Sequence, residues 1–331
     1  MSTQNFKRRE FLGLMGGTAL AALWPGSGAL AADSGALLTL GFQDSVWGSV
    51  AMVANSEQVF KKAGANVKVL KFDSGKTVRN SMISGRIDIG TLGTTPFIVG
   101  AAKGDIVALA TVAYAGRTDS VVAGKKTNIK SVKDLKGKRI ASQVGSSTDY
   151  IFQNKIIPAF GLKKGDYQIV NTKFRDQVAA LAAGSVDAFA GVEPYPSVAV
   201  LDDIGRVLVN YSKYDMLPVW LAINQPVLEK HPKEVVAFMK GWLMAVKTFK
   251  DDPKRTAKIV WEFYTSQGYT IKEEAIDSMM GKFDVNPDYV KGLKDYLNQQ
   301  AEVLLKAGKI PKIPDWDKVL NHEILKEARA A

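Results

Sequence analysis

The chain has 331 residues, no cysteine and two histidines, which excludes disulfides, thiol catalysis, iron–sulfur clusters and thiolate metal sites and leaves too few imidazoles for a histidine-based metal site or catalytic triad. Hydrophobic residues make up 46%, an ordinary globular content. The formal charge of +11 comes from lysines spread over helix faces, such as Lys61-Lys62 and Lys163-Lys164, rather than from a basic arm, so nucleic acid is not an expected partner and a mildly positive field favours anionic ligands.

Residues 1–31 read as an export signal. Lys7-Arg8-Arg9-Glu10-Phe11-Leu12 precedes an uncharged run to Leu23 and the small-residue site Ala29-Leu30-Ala31; the paired arginines followed by Phe-Leu point to the twin-arginine route. The apolar run is shorter than the ~20 residues that span a bilayer, and no cysteine could carry a lipid. Cleavage after Ala31 and release into the periplasm are expected. The 300 residues that remain, 331 less 31, suit two domains on a prior of ~150 residues each.

From Leu37 strands and helices alternate. Leu38 to Phe42 is a strand, Ser45 to Ala63 a helix with Val46, Val50, Val53, Val59 and Phe60 on its apolar side, Val67 to Phe72 a strand and Lys76 to Ser84 a helix. Then comes Gly85-Arg86-Ile87-Asp88-Ile89-Gly90-Thr91-Leu92-Gly93-Thr94-Thr95-Pro96. Ile87 and Ile89 form a buried strand, the glycines turn the chain, and Thr94-Thr95-Pro96 opens a helix. Such a junction offers free N–H groups, hydroxyls and a positive dipole end to an anion; taken alone it is more often an ordinary strand-to-helix turn, which every α/β protein contains.

Ile106 to Tyr114 and Ser120 to Ala123 continue as strands, and the Gly124-Lys125-Lys126-Thr127-Asn128 break places the first domain crossing at 123–130. The second unit repeats the plan with Gly145-Ser146-Ser147-Thr148 opening a helix from Asp149 to Phe160, a strand at Tyr167 to Val170 and a helix from Phe174 to Ala183. Gly184-Ser185-Val186-Asp187-Ala188 through Pro194 echoes the Gly85 segment, a weak internal repeat that puts one ligand loop at the carboxyl end of each sheet. A strand at Val219 to Ile223 returns the chain to the first domain. Pro232 to Lys250 is an amphipathic helix, followed by helices near 254–264, 272–280, 288–306 and 316–327. This is βαβ logic: an α/β fold of mainly parallel sheets with helices on both faces.

Lys71-Phe72-Asp73-Ser74-Gly75, the Ser84 to Thr95 loop, Asp134-Leu135-Lys136-Gly137-Lys138-Arg139-Ile140, Gly145-Ser146-Ser147 and Gly184-Ser185-Val186-Asp187-Ala188 together resemble the periplasmic substrate-binding proteins of ABC importers for taurine, alkanesulfonates and nitrate, from about residue 38 to about 315. The resemblance implies a two-lobed, type II-like periplasmic binding protein with two hinge crossings, lobe 1 at 32–124 and 222–331 and lobe 2 at 125–221, closing by hinge motion. It implies a monomer without cofactor or catalytic residues, serving an inner-membrane permease with its ATPase. Its ligand loops fall on Gln43, Asp44 and Trp47; on Gly93, Thr94 and Thr95; on Ser146, Ser147 and Thr148; and on Glu193, Pro194 and Tyr195.

Each serine or threonine there is as well read as a plain N-cap, and Trp47 as a ligand floor or as packing. Many members carry Trp where Val192 precedes Glu193-Pro194, so the pocket wall differs. Glu193 and Asp44 are both candidates to pair with a ligand ammonium, as taurine would require; if neither faces the ligand, a plain sulfonate, an aromatic carboxylate or sulfonate, or a nitrate-like anion fits. Arg117 and Arg175 are charge partners or surface residues. The contrasting reading is an enzyme on the same scaffold, as in thiamine-precursor synthases; the absence of cysteine, and of a histidine in any cleft loop, favours binding.

Overall fold

In the computed structural model residues 35–330 are described, and the export signal read at 1–31 lies outside them. Both sheets below belong to one unit, Ser34–Ala331. Four strands come first, β1 (Leu38–Gln43), β2 (Val67–Phe72), β3 (Ile89–Gly93) and β4 (Ile106–Tyr114). Then follow β5 (Asp119–Gly124), β6 (Arg139–Ser142), β7 (Gln168–Asn171), β8 (Ala188–Val192), β9 (Gly205–Asn210), β10 (Pro218–Asn224) and the two-residue β11 (Asp284–Val285). They pair into a six-stranded sheet, β11-β4-β10-β3-β1-β2, and a five-stranded sheet, β7-β6-β8-β5-β9.

In the first sheet β2, β1 and β3 are parallel and β10 lies antiparallel between β3 and β4. The second sheet copies this with β7, β6 and β8 parallel and β5 antiparallel between β8 and β9. In both, the reversed interior strand is the one that has just crossed from the other lobe. That corrects the expected boundaries. β5 belongs to the second sheet, so the first crossing is 115–118 and Gly124 ends a strand rather than starting a hinge. The return crossing is 211–217, because β10, which opens at Pro218, belongs to the first sheet. Apolar alternation marks these segments as strands, but it carries no information about which sheet they join.

The crossings lie against each other. The N–H groups of Ala115 and Gly116 donate to the carbonyls of Leu217 and Met216 at 2.9 and 3.2 Å. A Cβ at Gly116 would stand 2.2 Å from the Asp215 carbonyl oxygen, so only glycine allows this approach. Leu217 is fully buried at φ 48°, a left-handed conformation costing on the order of 1–3 kcal/mol. Its N–H donates to Asp215 Oδ1 at 2.7 Å, and Asp215 also accepts from Tyr296 of the first lobe and Lys155 of the second, each at 2.6 Å.

Two expected helices are interrupted. The segment 45–63 is a 3-10 turn, Val46–Gly48, then helices Ser49–Ser56 and Val59–Lys62, with left-handed Gln58 between them. In the segment 149–160 a π-turn, Phe152–Ile156, separates Ser147–Ile151 from Ile157–Ala159; Pro158 has no N–H for the carbonyl four residues back. The expected long helix is intact as Pro232–Asp251 and buries Phe238, Met239 and Trp242. Trp220 on β10 is fully buried and stacks on Phe97 at 4.4 Å, a burial worth roughly 4–6 kcal/mol at 25 cal/mol per Å² over 150–250 Å².

Candidate ligand-binding cleft

Four strand ends meet where the two sheets face each other. After β1 come Gln43 and Asp44, 3% and 6% exposed. A Cβ at Gly75 would stand 3.1 Å from Gln43 Oε1 and 3.4 Å from the Gly93 nitrogen, and Gln43 Nε2 has no hydrogen-bond partner. Asp44 Oδ2 accepts from the Tyr269 hydroxyl at 2.7 Å and lies 3.5 Å from Lys71 Nζ, while Oδ1 is buried without a partner. Trp47 donates from its indole nitrogen to Thr118 Oγ1 at 2.9 Å, which fixes the ring between the cleft and the first crossing.

After β3, Gly93 caps the helix Thr94–Lys103 in an extended conformation. Thr94 turns away from the cleft: its hydroxyl donates to the Pro218 carbonyl and accepts from Trp220 Nε1. Thr95 faces the other lobe. Its N–H donates to Ser147 Oγ at 3.0 Å, and its own Oγ1 is buried without a partner.

In the second lobe, adjacent hydroxyls take different jobs. Ser146 Oγ accepts from the Asp149 N–H and is a plain N-cap. Ser147 reaches across to Thr95. Thr148 points inward and donates to Asp119 Oδ2 at 2.6 Å. Burial pushes the Asp119 carboxyl well above its ordinary range, and the Thr148 and Thr118 hydroxyls that donate to it offset only part of this. Val192 is fully buried and pairs with Asp119 in the sheet, and it is not among the residues that enclose the small cavity described below.

The Glu193 carbonyl accepts from the Val46 N–H of the first lobe at 3.1 Å. Its carboxylate is committed to Lys282 at 2.5 Å and to the Ser197 N–H at 3.2 Å. The Tyr195 hydroxyl is buried without a well-formed hydrogen bond. Burial holds the Tyr195 and Tyr264 phenols well above their ordinary value, with Tyr264 and then Asp44 the next causes for Tyr195 and Asp44 the next for Tyr264. Burial also pushes Tyr269 up to about 12, with its bond to Asp44 the next cause. All three are therefore protonated donors at physiological pH.

Asp44, Asp73, Lys173, Phe174, Arg175 and Tyr195 enclose a cavity of about 10 Å³, room for roughly one water. At its mouth Lys173 of the second lobe meets Asp73 of the first at 2.5 Å, with Arg175 at 3.9 Å. Lys173 first, then Arg175 and Lys71, hold Asp73 below the usual carboxylate range. Lys76 also crosses the cleft, its side chain lying over Gly145.

The structure thus brings together Gln43, Asp44, Trp47, Gly93, Thr95, Ser147 and Tyr195, and directs Thr94, Ser146, Thr148 and the Glu193 carboxylate elsewhere. Arg175 lines the cleft and Arg117 is exposed. Tyr264, Tyr269, Lys71, Asp73, Lys173 and Lys282 were missed by the sequence reading. Lys71 and Asp73 could have been found as neighbours of Gly75 at the end of β2; the others come from distant segments with no local signal.

A model of the NMT1-like family matches residues 32–262. The taurine-binding periplasmic protein of Escherichia coli (strain K12) is 31% identical over 283 residues, covering 83% of this chain and 82% of that protein. The putative aliphatic sulfonates-binding protein of the same strain is 32% identical over 220 residues, 65% of this chain and 66% of that one. Among solved structures, the alkanesulfonate-binding protein SsuA from Xanthomonas axonopodis pv. citri bound to MOPS superposes with a TM-score of 0.73 at 22% identity, covering 86% of this chain and 96% of that chain. With the two-sheet architecture and the facing loops, these matches establish that the chain belongs to the NMT1-like family and is a relative of taurine- and aliphatic sulfonate-binding periplasmic proteins.

Proposed function

We propose that this protein is a non-catalytic solute-binding component of an ABC importer that captures a small organic sulfonate between its lobes and delivers it to an inner-membrane permease and its ATPase. The observation that carries this reading is the set of buried polar atoms without partners at the interlobe seam: Gln43 Nε2, Thr95 Oγ1, Asp44 Oδ1 and the Tyr195 hydroxyl. Such atoms cost about 1–3 kcal/mol each unless a ligand or water satisfies them. Three of the four can donate to sulfonate oxygens, and the sulfonate-binding names of the relatives agree with that chemistry. A cavity of about 10 Å³ cannot admit such a ligand, so the lobes must part about the crossings at 115–118 and 211–217, and the Thr95–Ser147 contact must give way.

A thermal-shift screen of the exported chain against taurine, alkanesulfonates, nitrate, aromatic carboxylates and thiamine precursors tests this. Ligand at 100 times its Kd adds about 2.7 kcal/mol. A shift with a sulfonate and no turnover of it is expected; a shift only with a carboxylate or a thiamine precursor, or consumption of the ligand, overturns the reading. For export we propose the twin-arginine route. Replacing Arg8 and Arg9 by lysine should leave uncleaved precursor in the cytoplasm, and unchanged periplasmic yield would rule that route out.

A further inference from the structure

We infer that Asp44 forms a cation subsite, so that the ligand of this cleft is an aminosulfonate zwitterion rather than a plain alkanesulfonate. The inference rests on the solute-binding reading above and sharpens it.

The two acidic residues that the sequence offers for this role are not equivalent in the structure. Glu193 is neutralised by Lys282 at 2.5 Å and held by the Ser197 N–H, so both its charge and its geometry are already used. Asp44 is different. Its outer oxygen, Oδ2, takes the Tyr269 hydroxyl at 2.7 Å and faces Lys71 at 3.5 Å, while its inner oxygen, Oδ1, is buried and accepts nothing. A desolvated carboxylate oxygen requires a donor, and a cationic donor forms the stronger bond.

The other charges around the cavity do not supply one. Lys173 and Arg175 are engaged with Asp73 at the mouth, and Lys71 approaches from the outer side, 5.8 Å from the Tyr269 ring centroid. The remaining neighbours are phenols, Tyr195, Tyr264 and Tyr269. Tyr264 and Tyr269 meet edge to face at 5.5 Å, and the charge of Asp44 is felt by all three. Aromatic rings beside a carboxylate suit an ammonium group.

The donor side of the cleft, Gln43 Nε2, Thr95 and Ser147, starts one residue away, since Gln43 and Asp44 are consecutive and their Cα atoms are about 3.8 Å apart.

Titration calorimetry of the intact exported chain with taurine and with isethionate separates the possibilities. Isethionate keeps the sulfonate and the two-carbon spacer but replaces the ammonium by a hydroxyl. The wild type is expected to bind taurine at least 30-fold more tightly than isethionate, a comparison that needs no variant. Asp44→Asn should lower taurine affinity by at least 30-fold while changing isethionate less than threefold, with its melting temperature recorded to exclude misfolding. Equal binding of both ligands by the wild type overturns the subsite and leaves the sulfonate reading intact. Equal losses for both ligands in Asp44→Asn overturn it as well, as does loss of taurine selectivity in Glu193→Gln with selectivity kept in Asp44→Asn. Binding of neither ligand removes the sulfonate reading itself, and this assignment with it.

Discussion

Gly93→Ala probes the approach of the two lobes. Gly93 has φ −70° and ψ 166°, ordinary extended values, so alanine imposes no backbone strain on the first lobe. The added Cβ would stand 2.5 Å from Ser147 Oγ, 3.1 Å from Ser147 Cβ and 2.9 Å from Trp47 Cζ3. Ser147 belongs to the other lobe, and rotation of its hydroxyl relieves only the first of these contacts. Closure must therefore stop short by several tenths of an ångström or push Trp47 aside. Overpacking on this scale costs about 1–3 kcal/mol, equivalent to roughly 5- to 150-fold in Kd at 1.4 kcal/mol per decade. Calorimetry of ligand binding, with melting of the ligand-free protein alongside, measures both sides. Because Trp47 shares the first lobe with Gly93, its contact lowers the ligand-free Tm as well; a loss of binding beyond that fall in stability is expected, and Ser147→Gly in the same chain should return that extra part through a coupling energy of the usual 0.5–3 kcal/mol for residues in contact. Wild-type affinity in Gly93→Ala, or losses that simply add in the double variant, would refute the reasoning.

The pair at the cleft mouth should act weakly and with salt. Lys173→Ala removes a half-exposed ion pair to Asp73 worth about 0.2–1 kcal/mol, so ligand release should quicken no more than about fivefold at low ionic strength and converge on wild type at high salt in stopped-flow measurements. Because Asp73 is depressed below the ordinary value of 3.8 in the closed form, its contribution is complete above that pH and is lost as the pH falls through its lowered value. Binding measured from pH 7 downward should show the Lys173→Ala difference constant above pH 3.8 and shrinking only below it.

Tyr269→Phe removes the donor to Asp44 Oδ2 and should weaken ligand binding by about 1–3 kcal/mol in calorimetry; a change in Tm alone would contradict a role at the site. Lys282→Met strands the buried Glu193 carboxylate. The lysine is a third exposed, so we expect the lower range of unpaired buried charge, about 1–3 kcal/mol, read as a fall of several degrees in Tm and reversed by adding Glu193→Gln.

Much of the scaffold was written locally. Glycine and proline punctuation located the strand-to-helix junctions at Gly93, Gly145 and Pro194, and a 3.6-residue apolar period located the helix Pro232–Asp251. The site itself was legible only as a set of loops. Ser146, Ser147 and Thr148 are chemically alike and adjacent, yet one caps a helix, one crosses the cleft and one braces Asp119, because a step of one residue at a helix start turns a side chain by about 100°. The partners that settle Asp44 and Glu193 are Tyr269, 225 residues from Asp44, and Lys282, 89 residues from Glu193, and no local pattern points to either. β9 was missed because Arg206 and Asn210 interrupt its apolar alternation and it forms an edge.

The position of β10 also fixes an order of assembly on the ribosome. β3 and β4 do not touch as a ladder; both pair with β10, whose Val219 lies opposite Gly93, 126 residues earlier by subtraction of 93 from 219. Until that strand has been synthesised, two apolar strands of the first sheet present unpaired edges in a half-built core. The second sheet draws all its strands from the unbroken stretch between Asp119 and Asn210 and can zip up as soon as it emerges, with shorter loops to close. The lobe that is begun first is therefore the lobe that is finished last.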